Sequence, residues 1–131
     1  MADYSSNITV VNGYTSSKLT RISYHAPQGN WMIPPRAEIP ATESDSFSVS
    51  PTNGVSEGDV TYRTDTGTQF KIYFRCASGG NSCTVTPPNM ARVTYNASGS
   101  PLNGESISQN APSDVTHRVL ISVATINVLE A

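Results

Sequence analysis

The chain has 131 residues, a formal net charge of −2 and only 14% charged side chains. It carries 18 Ser, 14 Thr and 10 Asn but two lysines, Lys18 and Lys71. That balance argues against a disordered chain, which needs more charge and fewer aromatics. It also argues against a nucleic-acid partner, which calls for a basic stripe, and against a helical bundle, which is richer in Ala, Glu, Lys and Leu.

The pattern along the chain is strand and turn. Ile8 to Val11 is a β-branched run closed by Asn12-Gly13, a strong turn dipeptide. Lys18 to Tyr24 follows, with Leu19 on one parity and Ile22 and Tyr24 on the other. Residues 26 to 41 hold Pro27, Gly29, Pro34, Pro35 and Pro40 around Trp31. They suit a surface loop or a chain of extended edge pieces, not a helix or a central strand. Phe47 and Val49 alternate with Ser46, Ser48 and Ser50, as in a half-buried strand.

The clearest unit is Gly58 to Arg75. Val60 and Tyr62 share a face opposite Thr61 and Arg63, and Asp65-Thr66-Gly67 turns the chain. Phe70, Ile72 and Phe74 then oppose Lys71, Tyr73 and Arg75. This predicts a hairpin with one buried and one polar face. Tyr62 is expected to fill core with its hydroxyl reaching water. Met90 to Tyr95 predicts another strand, and residues 96 to 114 are mostly loop. Val115 to Leu129 is alternating and then continuously apolar, so a bent or bulged strand is expected there, with His117 in step with Val115 and Val119. Short strands with regular turns and no capped helical period predict an all-β, single-domain β-sandwich over residues 1–131, with little or no helix. No apolar run reaches the roughly 18 residues that cross a bilayer.

Few constellations point to chemistry. Gly54-Val55-Ser56-Glu57-Gly58 matches a nucleophile elbow by letter, but a strand rather than a helix follows it. A small serine hydrolase is therefore a remote alternative, and no catalytic residue is assigned. His25 and His117 lack the spacing of zinc ligands. The acidic pairs Glu43/Asp45 and Glu57/Asp59 offer too few oxygens for a hard cation. No metal or cofactor is expected. Cys76 and Cys83 could staple a hairpin end if their Cα atoms lie within about 7 Å. Two reduced, partly buried thiols are the expectation. The first residues, Met1 to Ser6, have neither a basic nor an apolar leader region. A cytoplasmic protein, or one exported by a non-classical route, is expected.

The run Gly58 to Cys76, followed by Ala77-Ser78-Gly79-Gly80-Asn81, resembles the central hairpin of the actinoporin-like superfamily, which includes aegerolysins and fungal fruit-body lectins. Tyr24 to Ile33, with Gly29 and Trp31, resembles their strand-Gly-x-Trp segment. Cys76 to Gly79 is similar to the aegerolysin Cys-Pro-Trp-Gly, with Ser78 standing where that group has Trp. The resemblance implies a β-sandwich that binds membrane lipid, as a cytolysin or toxin that forms pores with a protein partner. The close alternative is a lectin, with part of a sugar site between the Gly54–Gly58 turn and Ala77 to Asn81. Tyr and Trp suit a headgroup zone or a sugar face, and arginine suits a phosphate. The candidate ligand-binding residues, for lipid headgroup or glycan, are Tyr24, Trp31, Arg36, Tyr73, Arg75, Ser78 and Asn81. The sequence leaves the oligomeric state open.

Overall fold

The computed structural model describes residues 5–77, 80–97, 100–101, 106–107 and 121–128. His117, Ser78 and the start of the 115–129 run lie outside these residues. The described chain forms two packed sheets, and its helical content is a single 3-10 turn, Pro88–Met90. This is the expected β-sandwich.

Strand β1 (Ser5–Asn12) lies centrally in the first sheet. It pairs antiparallel with β5 (Ser44–Ser50), whose far side carries β3 (Asn30–Ile33) at the sheet's edge. On its other side β1 pairs in parallel with β12 (Ile121–Val128), which pairs with β9 (Ala91–Ala97). The short β10 (Ser100–Pro101) and β11 (Ser106–Ile107) flank β9. The second sheet is antiparallel throughout. Its order is β4 (Glu38–Ile39), β2 (Leu19–Gln28), β6 (Val55–Thr64), β7 (Gln69–Ala77) and β8 (Gly80–Thr86).

The strands form where period-2 patterning buries one face. Inward positions of β6 and β7 (Val60, Tyr62, Phe70, Ile72 and Phe74) are at most 2% exposed, while Arg63 and Lys71 on the opposite faces are exposed. From the first sheet Phe47 and Val10 complete the same core. Phe47 and Phe74 meet across it with ring centroids 5.9 Å apart. At Gly58, in register with Phe74, an added Cβ would strike the Phe74 ring and the His25 carbonyl, so the aromatic occupies the space a side chain would need.

Several expectations change. The dipeptide Asn12-Gly13 does not close a hairpin, because β1 and β2 lie in different sheets. Asn12 is buried instead. Its Nδ2 donates to the carbonyls of Ser17, Ile39 and Pro40 at 2.9–3.2 Å, and its Oδ1 accepts the Tyr14 N–H at 3.0 Å. The side chain thus ties the crossover to β4 and satisfies backbone groups that neither sheet can reach. Met90 ends the 3-10 turn, and its strand begins at Ala91. The proline-rich segment resolves into edge pieces, β3 in one sheet and β4 in the other. Tyr62 is wholly buried, and its hydroxyl finds no hydrogen-bond partner instead of reaching water. The hydroxyl lies deep between sheets, where Asp45 and Arg21 are its charged neighbours, and burial pushes its pKa upward.

Candidate functional site

The edge of the sandwich where β2 faces β3 differs from the rest of the molecule. Strand β4 pairs with β2 at Leu19 and Thr20, and the Arg21 N–H still donates to the Ala37 carbonyl at 2.9 Å, but beyond Arg21 no strand of the described residues pairs with that side of β2. A register shift around Ile22 and a second before Gln28 bend it further. At Gly29, with φ of 102°, the chain crosses to β3, so close to Ser50 that a Cβ would collide with its carbonyl. Trp31 then enters the sandwich in register with Val49.

Trp31 joins core to rim. Its ring stands edge-on to Phe47 at 5.9 Å, to Phe74 at 6.2 Å and to Tyr24 at 5.5 Å. It is therefore half-buried, not displayed on a loop. Tyr24, at an inward register position opposite Val60, remains 38% exposed, with no strand of the described residues closing that side. The Arg21 guanidinium lies over the Tyr24 ring, 4.3 Å from its centroid, and its Nη1 donates to the Pro35 carbonyl. Arg21 and Arg36 line one cleft of about 520 Å3 with Thr20, Ala37 and Glu38. The Arg36 backbone N–H donates to Asp45 at 2.9 Å, which fixes the segment against β5.

Among the described residues the exposed large apolar side chains are Ile22 (43%), Tyr24 (38%), Met32 (53%) and Ile33 (58%). All four belong to β2 and β3. Exposed apolar surface concentrated in one region of a soluble fold marks an interaction site where it is contiguous.

The candidate residues from the sequence thus divide. Tyr24, Trp31 and Arg36 belong to this edge. Tyr73 and Arg75 lie on the outer face of β7, in register with Asp59 and Glu57. The Tyr73 hydroxyl donates to Glu57 Oε2, and burial first, then this bond, pushes its pKa up to about 12. Nearby, His25 Nδ1 lies 2.9 Å from Asp59 Oδ1. Asn81 is a β8 residue whose backbone pairs with Cys76, and Ser78 falls outside the described residues. The sequence does not single out Arg21 or the apolar trio Ile22, Met32 and Ile33. The available signal was an arginine in step with the inward Leu19 and three residues before an aromatic.

Ser56 is fully buried within β6, with its Oγ 2.6 Å from the Ser6 Oγ, so the Gly-x-Ser-x-Gly letters form no exposed elbow. Cys76 and Cys83 are buried thiols on neighbouring strands, and burial pushes the Cys83 pKa up to about 12. Among the described residues no group of three His, Cys, Asp or Glu side chains could hold a metal ion. None of their helices is long and apolar enough to cross a membrane.

This pair of sheets is a fold shared with solved proteins. The lipid-binding protein Nakanori superposes over 99% of this chain and 73% of its own, with a TM-score of 0.66 at 10% identity. IP-1A from Alcaligenes faecalis superposes over 98% of this chain and 94% of its own, with a TM-score of 0.56 at 17% identity. RahU, solved in complex with a Tris molecule, superposes over 97% of this chain and 96% of its own, at 0.55 and 8%. No family model and no curated protein matches the sequence. Identities this low establish likeness of fold alone.

Proposed function

We propose that this protein is a non-enzymatic binder of membrane lipids, of aegerolysin type, that meets the bilayer with its β2–β3 edge. The observation that carries this reading is the grouping of Ile22, Tyr24, Met32 and Ile33 on the two strands of one edge. Apolar tips beside an aromatic and arginines match the layering of an interface, where chains enter the acyl boundary and amphipathic groups stay at the headgroups. Trp31 supports the edge from behind by docking on Phe47 and Phe74. The fold shared with a protein described as lipid-binding is consistent with this reading.

Flotation with vesicles of phosphatidylcholine, sphingomyelin–cholesterol and phosphatidic acid tests it. The expected result is binding to at least one composition by the wild type. The double variant Met32→Ser/Ile33→Ser should lose that binding at an unchanged melting temperature. Equal flotation of wild type and double variant, or none by either, would overturn the proposal. Pore formation with a partner protein is the finer form of the same reading. It predicts dye release from those vesicles only when the partner is added.

A second reading, saccharide binding, has one observation in its favour. A depression of about 170 Å3 beside β1 and β5 is lined by Asn7, Thr9, Ser46 and Ser48 together with the apolar Ile8, Ile33 and Phe47. It offers neutral hydroxyl and amide groups to a polyol. A neutral-glycan array on the wild type and on Ser46→Lys separates the two readings.

A further inference from the structure

The β2–β4 side of the edge holds more positive charge than apolar contact with a membrane requires. Lys18, Arg21 and Arg36 gather there, in a chain with eight Lys and Arg altogether and a net charge of −2. Lys18 Nζ lies 3.2 Å from Glu38 Oε2, so the one carboxylate lining the cleft already has a cationic partner. Among the described residues neither the Arg21 nor the Arg36 guanidinium forms an ion pair with a carboxylate. Arg21 is nevertheless held in place, by the Pro35 carbonyl on one side and the Tyr24 ring on the other. A guanidinium has five N–H donors, and Arg21 directs one of them to Pro35. Arg21, held in place, and the exposed Arg36 put two guanidinium forks on one cleft with no carboxylate of the described residues within ion-pair distance, a recognition element for an anion.

The same contacts select among anions. A quaternary ammonium needs an open aromatic face. The face of Tyr24 is covered by Arg21, and Trp31 is packed against three other rings. A primary ammonium needs a carboxylate, and Glu38 is engaged by Lys18. The cleft therefore complements two negative charges with no cation attached. We infer that the Arg21–Arg36 cleft binds a phosphate monoester dianion in preference to a zwitterionic phosphodiester. The source is either a lipid headgroup such as that of phosphatidic acid or a soluble phosphomonoester. The lipid source rests on the function proposed above, and the soluble source does not.

Two arms separate these sources. In the first, the arginine side-chain NMR signals are followed during titration with glycerol 3-phosphate and, separately, phosphocholine. Shifts at Arg21 and Arg36 with the former, at least tenfold weaker with the latter, are expected. Affinity for glycerol 3-phosphate should rise as the second phosphate proton leaves, at about pH 6. In the second arm, flotation compares phosphatidic acid with phosphatidylcholine vesicles. Arg36→Gln, at an exposed position, should weaken phosphatidic acid binding roughly tenfold, the scale of a charged hydrogen bond. Arg63→Gln, on the outer face of β6, should leave it unchanged. Arg21→Gln is read beside its melting curve, and Arg36→Gln decides the matter if the former unfolds.

Vesicle binding that ignores both headgroup and Arg36, with no NMR shift, overturns the inference and leaves the lipid reading standing. NMR shifts at both arginines without flotation overturn the lipid reading and leave a soluble phosphomonoester site. Equal loss in Arg36→Gln and Arg63→Gln means attraction by general charge, and overturns the inference.

Discussion

The β6–β7 hairpin and the β2–β3 edge are built from the same alternating letters and behave in opposite ways. In the hairpin each strand has a neighbour on both sides along most of its length, and every inward side chain from Val60 to Phe74 is sealed. At the edge, β4 shields β2 for two residues only, and inward positions such as Arg21 and Tyr24 stay partly open. An inward register position is thus a core position only where a neighbouring strand runs alongside. Where it does not, the fold holds an aromatic and an arginine in fixed places without hiding them. The hairpin supplies stability, and the edge is free to supply recognition.

The contrast is broken most severely from the hairpin side. Phe74→Ala removes a ring packed on Phe47 and Trp31, and should cost about 3–5 kcal/mol, as large core truncations do. Urea denaturation would read it as a lower midpoint at nearly constant slope. Trp31→Ala should fall between the two regions. Half-buried and docked on two core rings, it should lose about 2–3 kcal/mol, less than the roughly 3–5 of a fully buried aromatic truncation. The same variant should also weaken vesicle binding, because Tyr24 loses its edge-on partner. A variant with full stability would show that Trp31 is not docked on those rings.

Gly58→Ala should cost about 1–3 kcal/mol by forcing the Phe74 ring to move, although it adds only a methyl group. Thermal melting of this variant measures how tightly the hairpin is packed. At the small end, Met32→Ser alone should change stability by no more than about 0.5 kcal/mol, as exposed substitutions do. Its effect should appear in flotation and not in melting.

Alkaline pH offers a test that acts through burial. The pKa of the Cys83 thiol rises from 9.0 to about 12 and that of the Tyr73 hydroxyl from 10.0 to about 12, each mainly through burial. Tyr62 moves in the same direction. A raised folded pKa means that the unfolded chain gives up its proton first. Stability from these groups is therefore intact below about pH 9 and is lost as pH climbs toward 12. Urea midpoints at increasing pH across that window should fall, and Cys83→Ala should make the fall shallower. A flat profile to pH 11 would mean that these groups are solvated in the folded protein.

Much of the fold was legible because period-2 alternation is a local property. The faces of the 58–75 hairpin, the alternation of Phe47 and Val49 with serines, and the edge character of residues 26 to 41 all follow from neighbours along the chain. Of the site, Tyr24, Trp31 and Arg36 were visible as residue types suited to an interface. Their relation to one another was not. Arg21 reaches Tyr24 and the cleft shared with Arg36 only because β2 and the 34–38 segment are brought side by side.

Alternation specifies which way a side chain points, and nothing in it specifies which strand lies next door. For that reason the sequence alone determined an all-β chain with its buried and polar faces. The tertiary structure decided the parallel pairing of β1 with β12, the burial of the Tyr62 hydroxyl, and the placing of Asn12 as a tie between sheets rather than a turn. It also decided the open edge. A strand's backbone groups and side chains are covered by whichever segment packs beside them, and here β4 ends after two residues.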